Sequence, residues 1–96
     1  MRKIEPTVKF KKDYKKLKRQ PFYDDAFEKE FTEVISNLAK DIPLEDKYRD
    51  HQLLGQKGNI RECHVAPDWL LVYSKDKEGL KLILLRTGTH SNILRK

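Results

Sequence analysis

Apolar residues recur along the chain with two different periods. Phe10, Tyr14 and Leu17 fall at i, i+4 and i+7, one face of a helix, and Pro21 ends the run. The other faces of that helix carry Lys11, Lys12, Lys15, Lys16, Lys18 and Arg19. Phe27, Phe31, Val34, Ile35 and Leu38 lay down a second helical stripe, capped by Asp24 or Asp25 and stopped by Pro43. That stripe reads as core. The period then shortens. Residues 59–65, 69–74 and 80–87 read as strands, with "KDKEG" as the hairpin turn between the last two. Residues 4–8 form a short first strand whose Pro6 suits an edge or a strand start. Polar residues through Asp50 make a loop, Gly55 and Gly58 bracket a turn, and "HSNILRK" is a tail or a helical turn. This order predicts an α+β domain: two N-terminal helices packed on a small, mainly antiparallel four-stranded sheet.

Composition narrows what such a domain can do. The chain has 96 residues, 38% apolar and 38% charged, so we expect a single domain over 1–96 with one modest core. A site on it should be a shallow groove built from side chains, without a cofactor. Cys63 is the single cysteine, which excludes an internal disulfide and points to a reducing compartment. The start "MRKIEPTVKFKKDYKK" lacks the apolar stretch of a signal peptide, and "WLLVY" and "LILL" are too short to span a bilayer. A cytoplasmic protein with no membrane partner is expected. The net charge of +6 divides into +7 over residues 1–20, −5 over 21–50 and +4 over 51–96. Basic ends around an acidic middle fit either a polyanion partner or a plain solvated lysine helix.

The chemistry-bearing residues gather late in the chain. "RECHVAPDWLLVY" brings Arg61, Glu62, His64, Asp68 and Trp69 to the mouth of an apolar strand. His51 precedes the sheet and His90 follows its last strand, so all three histidines sit at strand ends or the loops beside them. None has helix-ligand spacing to another, and no second cysteine supports a zinc site, so no metal is expected. In "APDW", Pro67 restricts Ala66 and leaves Asp68 and Trp69 to project from the rim, although core packing is the alternative for a tryptophan on an apolar strand. Strict alternation puts Ile60, Glu62 and His64 on one face and Arg61, Cys63 and Val65 on the other. Arg61 then shares a site with His64 only if the strand twists or bulges near Pro67.

These residues, with "YRDHQLLG" before them and "LLRTGTHSNIL" after, resemble the YafQ-type branch of the RelE/ParE toxin superfamily. The resemblance spans nearly the whole chain and rests on the motifs together and in order. It implies a RelE-like fold and the toxin of a type II toxin–antitoxin pair, a ribosome-dependent endoribonuclease that cuts mRNA. It implies as partners mRNA on the ribosome, ribosomal RNA and a ribbon-helix-helix antitoxin of the DinJ/RelB kind. The functional positions it carries over are His51, His64, Asp68, Trp69 and His90, with Arg86 and Glu62 beside them. Such toxins usually hold an aromatic near the C-terminus, where this chain has Leu94.

The residue types suit that reaction. Metal-free RNA cleavage needs a base for the 2′-hydroxyl proton, an acid for the leaving 5′-oxygen and positive charge on the phosphate. His90 is the expected acid, and Asp68 with His51 or His64 the base side. Arg86 and a protonated histidine would hold the phosphate. Trp69 offers a stacking platform worth roughly 1–3 kcal/mol per base. Lys11, Lys12, Lys15 and Lys16 would anchor the protein on ribosomal RNA. Two other readings stay open: a gyrase-poisoning fold relative, which would not need the His/Asp cluster, and a non-catalytic RNA- or ribosome-binding module.

Overall fold

In the computed structural model, residues 1–53 and 59–93 are described. Thr7 starts the first helix, α1 (Val8–Leu17), by accepting a hydrogen bond from the Phe10 N–H. Asp24 plays the same part for α2 (Asp25–Ala39), accepting from the Phe27 N–H. Of α1 only Phe10, Asp13 and Leu17 are buried, so Lys11, Lys12, Lys15 and Lys16 all face solvent. The stripe of α2 buries Phe31, Val34, Leu38 and Ala39. Phe31 stacks with Phe10 at 6.4 Å and with Tyr14 at 5.9 Å between ring centroids, locking the two helices together.

The strands are β1 (Lys3–Pro6), β2 (His51–Gln52), β3 (Ile60–Ala66), β4 (Trp69–Lys75) and β5 (Lys81–Gly88), in sheet order β1-β5-β4-β3-β2. β1 runs parallel to β5, and the other pairings are antiparallel. A single helical turn, α3 (His90–Ile93), follows β5. The sheet therefore has five strands where the sequence predicts four. The extra strand pairs His51 with Glu62 and Gln52 with Arg61. Two residues are too short to show alternation, so backbone pairing alone makes this strand, and it places His51 in the sheet and not in a loop. Gly79, in the hairpin between β4 and β5, has φ +80°, a conformation that favours glycine. The turn expected around Gly55 and Gly58 lies outside the described residues, as does Leu94.

One face of the sheet meets both helices. Cys63 and Val65 of β3, Trp69, Leu71 and Tyr73 of β4, and Leu82 and Leu84 of β5 form that core with the helical stripes. Burial pushes the Cys63 thiol up to about 12, which leaves it inert. Alternation turns Leu70 and Val72 to the opposite face; both are buried yet stand apart from the helix-side core. They form the floor of the site.

Candidate active site

The register puts the polar residues of β3 directly beside that floor. His64 pairs with Leu70 and Glu62 with Val72, while Glu62 also pairs with His51 on its other side. Leu70 in turn pairs with Gly88, which leads into the turn carrying His90. Three strands therefore bring His51, His64 and His90 into a row, with ring centroids 6.2 Å and 5.4 Å apart. The sequence expectation that strand ends would gather the histidines holds in this geometry.

Gly88 contributes through space, not through its backbone angle. A Cβ there would lie 3.0 Å from Ile93 Cγ2, so any larger residue would press on the Ile93 side chain as α3 folds back. Thr89 caps that turn by accepting from the Asn92 N–H. His90 then stands at the rim, half exposed, with Nδ1 3.6 Å from Asp68 Oδ1.

Glu62 lies beneath the row with its side chain 5% exposed. Its Oε2 is 3.0 Å from His51 Nε2 and 4.0 Å from His64 Nε2. Its Oε1 is buried and, among the described residues, has no hydrogen-bond partner. His51 Nδ1 meets the Arg49 carbonyl at 2.7 Å, and since a carbonyl only accepts, Nδ1 carries a proton. Nε2 of the same ring faces the Glu62 carboxylate, so the two side chains form an ion pair whenever the ring carries its second proton. Burial holds His64 below the ordinary imidazole value of 6.5, outweighing the pull of Glu62, and the neighbouring Arg49, His90 and His51 add to the downward shift. His64 is thus held neutral and ready to accept. Glu62, His64 and His90 each bring a ligand atom within 4.8 Å of the others, close enough to hold a divalent ion between them.

Three expected site residues lie elsewhere. Trp69 is not a platform at the rim: it is 5% exposed, and its Nε1 donates to Thr87 Oγ1. A register shift between His64 and Ala66 inserts Val65 as an extra residue, and alternation from Leu71 and Tyr73 then carries Trp69 inward. Arg61 stays on the helix-side face, because the shift comes after His64; it bonds to Tyr73 Oη and pairs with Asp50. Arg86 is held by Asp13, through Nε at 2.7 Å and Nη2 at 3.2 Å. Asp13 also accepts from the Thr87 N–H, and the Thr87 hydroxyl donates to the Leu70 carbonyl. This latch ties α1 to β4 and β5. Asp68 is at the rim as expected, and mostly exposed.

Two residues escaped the sequence reading. Asp13 looked like one more charge on a polar helix face, although its i, i+4 spacing to Leu17 sets it beside the apolar stripe. Arg49 carries the one signal of a positive φ, 49°, visible only in the backbone. It lines a cleft with His64, Ala66 and Pro67, and among the described residues it forms no ion pair. It is the cation that the row leaves available.

Residues 2–95 match the family described as the bacterial toxin of type II toxin–antitoxin systems, YafQ. The mRNA interferase toxin YafQ of Escherichia coli K12 is 33% identical over 90 residues, 94% of this chain and 92% of that protein. A metal-bound toxin from Helicobacter pylori superposes with a TM-score of 0.87 at 43% identity, covering 97% of this chain and 99% of that one. The E. coli DinJ–YafQ complex superposes with a TM-score of 0.78 at 34% identity, over 97% and 98% of the two chains.

Proposed function

The chain belongs to the YafQ family of bacterial type II toxin–antitoxin toxins, and from that premise we propose that its histidine row cuts mRNA on the translating ribosome. The protein is an endoribonuclease toxin with a cognate antitoxin as partner. The observation that carries the site assignment is the row itself: three imidazoles, neighbours 6.2 Å and 5.4 Å apart, over a buried carboxylate. Neither protein contact with gyrase nor plain RNA binding needs that arrangement.

His64 takes the 2′-hydroxyl proton, because burial keeps it neutral and ready to accept. His51, set against Glu62, and Arg49 face the negative charge that grows on the phosphate. His90 protonates the leaving 5′-oxygen from Nε2, with the Asp68 carboxylate 3.6 Å from Nδ1 as an ion-pair partner for the imidazolium. Asp68 then orients the acid and is not itself the base. Arg86, held by Asp13, keeps an exposed edge for a neighbouring phosphate. No residue beyond these is needed for proton transfer, so cleavage should proceed without a metal. A divalent ion between Glu62, His64 and His90 would occupy the donor atoms that this chemistry uses.

The site is open, and an open groove holds a flexible strand poorly in line for attack, so the ribosome supplies the positioning. The exposed lysines of α1 grip ribosomal RNA without reading sequence. A ribbon-helix-helix antitoxin covers the basic surface with an acidic segment in the cytoplasm, where both partners act. Among the described residues no helix is long and apolar enough to cross a membrane. Primer extension on one message, translated and naked, tests the reading. Cleavage confined to the translated message is expected; equal cleavage of naked RNA would remove the ribosome from the proposal.

A further inference from the structure

Burying Trp69 leaves the site without the stacking surface that a single-stranded substrate calls for, and another aromatic stands close by. Phe22, in the connection between α1 and α2, is 46% exposed. Its ring meets Trp69 edge-on at 5.6 Å between centroids and Phe27 at 5.2 Å, so the side chain is fixed from behind while its outer surface stays open. In front of it lies a cleft of about 370 Å³ lined by Gln20, Phe22, Ala66, Asp68, Trp69 and Thr89.

Two of those lining residues belong to the histidine site. Asp68 reaches His90, and Thr89 precedes His90 in the chain and caps its turn. The cleft therefore continues the active groove directly on the side of the leaving oxygen. Its far wall is Gln20, which anchors its amide N–H₂ on the Lys16 carbonyl at 3.2 Å. With its N–H₂ so engaged, the amide keeps Oε1 as an acceptor. A neighbouring groove shares Gln20 and Trp69 and adds Lys16, Asp13 and Arg86; Asp13 offsets the Arg86 charge, leaving Lys16 and the outer edge of Arg86 for a phosphodiester.

We infer that Phe22 and Gln20 form a nucleobase subsite, which stacks and reads the base next to the cleaved bond. The inference rests on the nuclease reading above. An aromatic face supplies sequence-tolerant attraction for an unpaired base, while one fixed side-chain acceptor prefers bases that present an amino group. Lys16 and Arg86 continue the path by meeting the next phosphate. The subsite thus sets which codons are cut and adds to the rate.

The test measures single-turnover cleavage on programmed ribosomes whose messages vary the base on either side of the cut. Phe22→Ala should cleave about 5- to 150-fold more slowly, the range expected from losing one base–aromatic stack. Phe22→Tyr should stay near wild type, and Gln20→Ala should flatten the base preference with a smaller loss of rate. A stable fold by circular dichroism accompanies each comparison. With wild-type protein, a 4-thiouridine beside the cut bond should cross-link to the peptide that contains Phe22, a result that does not depend on any variant folding. If the wild type leaves translated messages whole, the nuclease reading itself fails. If it cuts them, and Phe22→Ala matches its rate and its base preference, the subsite is overturned. Unchanged cleavage together with weakened antitoxin binding would overturn it as well, by making the cleft a protein interface.

Discussion

Two polar clusters stand near the same end of the sheet and solve opposite problems. Asp13, Arg86, Thr87 and Trp69 form one, in which Asp13 accepts three hydrogen bonds and the indole N–H and the threonine hydroxyl both find acceptors. The other is Glu62 with His51, His64 and His90, where a buried carboxylate oxygen has no hydrogen-bond partner among the described residues and the imidazoles face an open groove. Buried polar groups normally find partners, so a saturated cluster holds structure, and an unsaturated one marks a place where something else is to bind. The difference separates residues that a motif alone groups together. Arg86 and His90 sit four positions apart in "RTGTH", yet the first is latched to a helix with only its outer edge open, and the second stands half exposed at the rim.

Substitutions in the two clusters should therefore fail differently. The largest effect belongs to the open one: His90→Ala should lower single-turnover cleavage by about 10²–10⁴-fold, the usual worth of positioned proton transfer, with the melting temperature unchanged. Equal cleavage by the variant would move the acid to another residue. In the closed cluster, Asp13→Ala should cost about 2–3 kcal/mol of stability, because it strands a half-buried guanidinium and a buried N–H; urea denaturation measures it. A loss of activity with full stability would instead place Asp13 in the chemistry.

Two smaller effects sharpen the contrast. Replacing Lys11, Lys12, Lys15 and Lys16 by Gln should reduce the salt slope of ribosome binding by up to about 3, with cleavage of the bound message unchanged. An unchanged slope would show that this helix face is only solvated. The smallest effect is a pH dependence of stability from His64. Its folded value lies below 6.5, so the unfolded chain takes up the proton first as pH falls. His64 therefore removes stability as pH drops below about 6.5, and its full cost is reached once pH is below the folded value. Urea titrations from about pH 7.5 to about pH 5 should show a steeper decline for the wild type than for His64→Gln. Parallel curves would contradict a desolvated His64.

The sequence carried the helices, four of the five strands and the histidine row, because each leaves a periodic or positional mark. The two stripes sit where their spacing puts them, capped at Thr7 and Asp24. What it missed follows from pairing. β2 is two residues long and exists only because the backbone of β3 lies beside it. Pro67 signalled that the chain turns, but not that Val65 would be the extra residue, and that one position decides whether Trp69 faces solvent or core. Asp13 and Arg86 are 73 residues apart, beyond any local pattern, so their pairing was invisible and Arg86 read as free.

The central claim is that the histidine row drives attack by the RNA's own 2′-hydroxyl, and the ends of the cut message test it most directly. Messages cleaved on programmed ribosomes in the presence of EDTA-treated protein would be analysed by mass spectrometry. Acid/base transfer between His64 and His90 predicts a 2′,3′-cyclic phosphate or 3′-phosphate on the upstream fragment and a 5′-hydroxyl on the downstream one. It also predicts that a single 2′-deoxy nucleotide before the cut bond abolishes cleavage there. A 3′-hydroxyl with a 5′-phosphate, or undiminished cleavage at the 2′-deoxy position, would contradict it.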